Sequence, residues 1–105
     1  MPVAFVQEFA IRDGDTSTTN YDAVAAELNA QEAPDGGLIH TAGFDHDAGV
    51  FRIFDVWETR EQAERFVAER VMPVVHEVTG GQPNAVPPAR EYFYELHDLM
   101  VAGPR

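Results

Sequence analysis

Residues 38–57 read LIHTAGFDHDAGVFRIFDVW. Two runs rich in β-branched and aromatic residues, 38–45 and 50–57, flank His46-Asp47-Ala48-Gly49. A connection this short, with Gly at its end, predicts a β-hairpin. Pairing Asp45 with Val50 sets Phe44 opposite Phe51, Ala42 opposite Ile53, His40 opposite Asp55 and Leu38 opposite Trp57. That register gathers the most apolar side of both strands and places a His and a carboxylate on it, beside a Trp. A three-residue hairpin loop would shift the register and separate the two polar groups.

The neighbouring segments extend the pattern. Residues 3–12 alternate with period two and predict a first strand, which Asp13-Gly14-Asp15 ends. Residues 19–32 predict a helix, with Thr19 and Asp22 resembling a capping box. Tyr21, Val24, Ala25 and Leu28 form its apolar stripe. Residues 59–79 predict a second helix, capped by Thr59. Its apolar side is Ala63, Phe66, Val67, Val71, Val74, Val75 and Val78. Pro73 lies inside it and predicts a kink or break within a turn. Gln82–Ala89 carries three prolines and reads as a loop, and residues 91–99 predict the last strand. The order β-α-β-β-α-β is the ferredoxin-like α+β topology: a four-stranded antiparallel sheet with two helices on one face. Phe5 and Phe9 oppose Val6 and Ala10, and Phe51 and Ile53 oppose Phe54 and Val56, so both faces are apolar. The face without helices therefore calls for a second subunit, and a homodimer is expected.

The 105 residues amount to one domain. Acids outnumber bases 18 to 7, for a formal net charge of -11. That charge repels phosphate backbones and anionic lipid, so no nucleic-acid or membrane partner is expected. All seven bases are Arg, which excludes lysine Schiff-base chemistry. There is no Cys, which excludes disulfides, thiolate nucleophiles and Cys–zinc sites. No apolar run approaches a membrane span, and Met-Pro-Val-Ala-Phe lacks the basic start of a signal peptide. A soluble, cytoplasmic protein is the expectation.

The stretch Asp55-Val56-Trp57-Glu58-Thr59-Arg60-Glu61-Gln62-Ala63-Glu64-Arg65-Phe66 carries a family resemblance. An acidic residue, a Trp two positions on that closes a strand, then a polar cap and a helix resemble the antibiotic-biosynthesis monooxygenase-like proteins. The resemblance spans about residues 3–99. It implies a dimeric α/β barrel, two ferredoxin-like subunits packed sheet to sheet. It also implies one of several activities: cofactor-free monooxygenation of polyketide-like aromatics, ring closure by small cyclases, or haem binding and degradation. Haem-degrading members carry an axial His late in the second helix, and His76 falls near that place.

Without Cys or Lys, the histidines are the most versatile acid–base groups of the chain. His40 is the candidate base, with Asp55 fixing its tautomer and raising its basicity. The same two residues also suit a structural polar pair. Trp57, Phe44, Phe66, Tyr94 and His76 are the candidate substrate-binding residues. Trp57 serves equally as a pocket wall or as core. Glu95 with His97, two residues apart, suits either a second acid–base pair or a dimer contact. Asp45, His46 and Asp47 sit at a hairpin tip where Asp-rich turns arise for local reasons, so no metal site is expected. The leading expectation is a small cofactor-independent monooxygenase-like enzyme that acts on an apolar or aromatic, polyketide-like small molecule by removing a proton. Its alternatives are a polyketide cyclase-like enzyme, a haem or small-ligand binder, and a non-catalytic dimer.

Overall fold

The computed structural model describes residues 1–80 and 88–101. Four strands, β1 (Val3–Ala10), β2 (Gly37–Asp45), β3 (Val50–Trp57) and β4 (Arg90–Glu95), form one antiparallel sheet in the order β2-β3-β1-β4. Helix α1 (Thr19–Asn29) links β1 to β2. Helices α2 (Arg60–Phe66) and α3 (Met72–Val78) follow β3, joined by a π-helical turn over Val67–Val71. This is the ferredoxin-like α+β arrangement that the element order predicts. The expected loop at Gln82–Ala89 falls mostly outside the described residues.

Strand parity sorts the side chains. Val3, Phe5, Gln7 and Phe9 of β1 share a face with Phe51, Ile53, Asp55 and Trp57 of β3. Phe93 of β4 and His40, Ala42 and Phe44 of β2 join them. The helices lie on this face: Val3, Phe5 and Trp57 pack on Ala63 of α2, with Phe66, Val67 and Phe93 around them. On the opposite face Ala4, Val6 and Val56 are buried. Beside them Glu8 is also buried, and its carboxylate accepts from Arg52 Nε at 2.8 Å. Arg52 also donates to Asp45 at 2.8 Å, which anchors the base of the hairpin.

The hairpin holds the expected register from His40↔Asp55 to Asp45↔Val50. It departs at the strand's entry, where Gly37, not Leu38, stands opposite Trp57 and the register shifts before Ile39. Leu38 is left exposed. The reason lies in the turn before it. Gly36 has a φ of 82°, a left-handed conformation that glycine adopts without strain, and its carbonyl accepts from Glu58 N at 2.8 Å. That turn brings Gly37 under the indole, where a Cβ would lie 3.6 Å from Trp57 Cζ3.

The helices follow their apolar patterns with three corrections. In α1 the half-buried residues are Tyr21, Val24, Ala25 and Leu28, the expected stripe, yet none is fully buried. The helix ends at Asn29, short of the expected Glu32. Its N-cap is Thr18, not Thr19, and the Thr18 hydroxyl donates to Asp22 Oδ2 at 2.8 Å. In the second helical stretch every expected apolar position is buried or half-buried. Thr59 caps it, accepting from Gln62 N at 3.2 Å. The expected interruption near Pro73 takes the form of the π turn just before it. Pro73 has no N–H for the Glu69 carbonyl, and a widened turn accommodates the missing bond. Strand β4 ends at Glu95, so His97 lies beyond it, exposed, and the strand pattern that paired it with Glu95 stops short of it.

Candidate functional site

The hairpin register puts His40 and Asp55 side by side on the helix-bearing face. His40 Nδ1 lies 2.6 Å from Asp55 Oδ1. An ionised carboxylate only accepts, so Nδ1 carries the hydrogen and donates it. Nε2 is then free to accept in the neutral imidazole. Tyr21, from the first turn of α1, places its hydroxyl 2.7 Å from that nitrogen. The phenol donates to Nε2, and the three side chains form one continuous line, Tyr21–His40–Asp55. The Tyr21 ring is itself held edge-on against Phe51, with centroids 5.3 Å apart.

The electrostatics follow from these contacts. Hydrogen bonding to Asp55 raises the His40 pKa above the usual histidine value; burial opposes this, and the Asp55 charge adds to the rise. The Tyr21 pKa is also raised, first by burial and then by the charges of Asp55 and Asp22. The phenol thus stays protonated at neutral pH and is available as a donor. The His40 side chain is 58% exposed and that of Asp55 15%. The carboxylate is therefore sheltered, while the imidazole remains reachable from solvent.

Replacing Asp55 with Asn removes both influences that raise the His40 pKa and leaves the burial that lowers it. The expected result is a lower His40 pKa in Asp55→Asn, read from the imidazole resonances in an NMR pH titration. An unchanged midpoint would show that the carboxylate does not govern the ring. Linkage gives a further sign. A raised folded-state pKa contributes stability below the ordinary histidine range and loses it as pH rises through the folded value. The Asp55→Asn protein should therefore lose more stability against wild type at pH 5.5 than at pH 9.

The other candidates separate. Phe44 shares the face of His40 and packs edge-on against Phe51, centroids 4.8 Å apart. Trp57 shares that face too but is only 4% exposed and packs on Phe66, centroids 5.3 Å apart. It is a core residue, not a pocket wall. Phe66 also borders a cavity of about 120 Å³ with Pro34 and Arg70. Tyr94 pairs with Ala4, which puts it on the opposite face of the sheet, away from His40. Parity along β4 therefore removes it from the site. His76 sits exposed on the last turn of α3 and borders neither of the two cavities found among the described residues. Among the described residues no group of three or more His, Cys, Asp or Glu could hold a metal ion.

Two features were not expected. One is Tyr21, which the helical pattern accounts for as a stripe residue; its signal is a phenol at the sheet-facing position of a first turn, where the hydroxyl needs a partner. The other is a cavity of about 290 Å³ lined by Phe5, Val67, Met72, Phe93, Arg60 and Glu91, among others. His40 does not line it. Phe5 connects the two: it stands opposite Asp55 across β1 and β3, and its ring stacks on Phe93 with centroids 4.3 Å apart. From the strand of His40 to that of Phe5 is two strand spacings, about 10 Å.

No protein-family model matches this chain, and no curated protein does either. Solved structures do match in fold. A cofactor-independent oxygenase from Streptomyces nogalater aligns at a TM-score of 0.59 and 15% identity, over 94% of this chain and 96% of its own. A protein from Mycobacterium tuberculosis aligns at 0.58 and 18%, over 98% of this chain and all of its own. An antibiotic biosynthesis monooxygenase aligns at 0.53 and 20%, over 99% of this chain and all of its own. The chain thus has the fold of the antibiotic-biosynthesis monooxygenase-like proteins, at identities that speak for fold alone.

Proposed function

We propose that this protein is a small cofactor-independent enzyme that abstracts a proton from an apolar or aromatic small molecule and delivers the carbanion to O₂. The observation that carries the reading is the His40–Asp55 pair, 2.6 Å apart on the helix-bearing face, with Phe5, Phe44 and Phe51 on the same face. A His held by a carboxylate is a competent base near neutral pH. The aromatic residues beside it favour a flat apolar substrate. The monooxygenase-like fold and the cofactor-independent oxygenase among its structural neighbours agree with this chemistry.

The test uses anthrone, a carbon acid whose methylene is activated by two flanking rings and a conjugated carbonyl. Its oxidation by one O₂ gives anthraquinone and one water. With a chelator present and no cofactor added, the protein should accelerate O₂ uptake, matched one to one by anthraquinone. A rate equal to buffer alone would contradict the reading.

The assembly belongs to the same proposal: a homodimer through the sheet face turned away from the helices. Val6, Phe54 and Val56 give that face its apolar character. Tyr94, 47% exposed on that face, supplies an aromatic contact. Light scattering at micromolar concentration should give twice the protomer mass of 11.6 kDa. A stable 11.6 kDa species would contradict it.

A further inference from the structure

We infer that Tyr21 is the catalytic residue that meets the substrate, and that it passes the abstracted proton inward to His40. The inference rests on the proposed proton abstraction and deepens it. Imidazole offers a base only through its ring nitrogens. Asp55 occupies Nδ1, at 2.6 Å. Tyr21 Oη occupies Nε2, at 2.7 Å. A substrate proton therefore finds no unoccupied ring nitrogen; it meets the phenol oxygen first.

The step balances as a double transfer. The substrate C–H gives its proton to Tyr21 Oη while the phenol's own proton moves to His40 Nε2. The products are a substrate carbanion, a neutral phenol and an imidazolium paired with the Asp55 carboxylate. No phenolate forms, which suits a tyrosine where burial first, and then the charges of Asp55 on β3 and Asp22 on its own helix, disfavour the anion. Once His40 is charged, Nε2–H donates back to Oη, and the phenol hydrogen is released to hydrogen-bond a developing oxyanion on the substrate. One hydroxyl thus serves removal of the proton and stabilisation of the charge left behind.

The position of α1 allows this. The helix has no buried residue, and its Tyr21 ties to the sheet through His40 and Phe51. The hydroxyl stands between helix and sheet, on an imidazole whose side chain remains 58% exposed.

The experiment compares Tyr21→Phe, His40→Ala and the double variant by solvent exchange of the anthrone methylene protons, under anaerobic conditions. It is paired with an NMR pH titration of the wild-type protein without ligand. Phenylalanine keeps the ring that packs on Phe51, so Tyr21→Phe tests the hydroxyl alone. The expected results are a ~10²-fold slower exchange in Tyr21→Phe and a double variant no slower than His40→Ala. The Tyr21 Cζ resonance should titrate with the same midpoint as His40, and both midpoints should fall together in Asp55→Asn. A Tyr21→Phe protein exchanging at the wild-type rate, where His40→Ala does not, overturns the inference and leaves His40 as the direct base. So does a Tyr21 Cζ resonance that stays flat through the His40 transition. If neither substitution alters exchange, the proton-abstraction reading falls as well.

Discussion

His40→Ala should lower anthrone turnover by ~10²–10⁴-fold, the usual contribution of a positioned general base. The fold and assembly should be kept. His40 is exposed, so its truncation removes little packed surface, and the sheltered Asp55 carboxylate, 15% exposed, loses a partner at a cost to stability that is small beside the loss of turnover. The two readings of the pair give opposite results. A catalytic His40 predicts lost turnover with the melting temperature nearly kept. A structural pair predicts the reverse, a lower melting temperature with turnover retained. Measuring both on one preparation decides between them. At the pH where turnover is half-maximal, the wild-type profile should also report the raised His40 pKa, since only the neutral ring can take a proton.

The second large effect concerns stability. Trp57→Ala should destabilise the protein by about 3–5 kcal/mol, the range for removing a large aromatic ring from a packed interior. The indole fills the junction between Val3 and Phe5 of β1, Ala63 and Phe66 of α2, and Gly37 of β2. Trp57→Phe should cost much less. It keeps most of the ring contact and deletes an indole Nε1–H that is buried without a hydrogen-bond partner among the described residues. Urea unfolding at fixed protomer concentration checks both. A Trp57→Ala loss under 1 kcal/mol would place the ring outside the core and return it to the role of a pocket wall.

Much of this site was legible because period-two alternation is a strong local signal. Phe44 opposite Phe51 and Ala42 opposite Ile53 leave His40 nowhere to stand but opposite Asp55, given a hairpin that closes at Asp45 and Val50. Where alternation lapses, legibility ends. Gly36 and Gly37 carry no side-chain pattern, so the one-residue shift that brings Gly37 under Trp57, in place of Leu38, has no trace in hydropathy. Tyr94 shows a different limit. Its strand is plain, but which side faces the helices depends on pairing with β1, and the Ala4↔Tyr94 partnership is set by the fold rather than by local sequence.

Tyr21 escaped for a related reason. Its spacing with Val24, Ala25 and Leu28 is fully explained by an apolar stripe, so nothing in the periodicity calls for a further role. The hydroxyl meets His40 across nineteen residues of chain, through a packing of helix on sheet that no short-range rule describes. The larger cavity is of the same kind: Phe5, Val67, Met72 and Phe93 come from β1, the π turn, α3 and β4. The π turn itself follows from Pro73, a residue whose disruption is legible while the shape of the accommodation is not.

The central claim is that this fold performs proton abstraction through His40, before and independently of any reaction with O₂. The direct measurement is the exchange of anthrone methylene protons for deuterium in D₂O, with O₂ removed, followed by NMR across pH 5.5 to 9. The account predicts exchange well above buffer in the wild-type protein, rising with pH through the His40 transition, and near buffer in His40→Ala. Exchange that equals buffer in the wild type, or that is the same with and without His40, would contradict it.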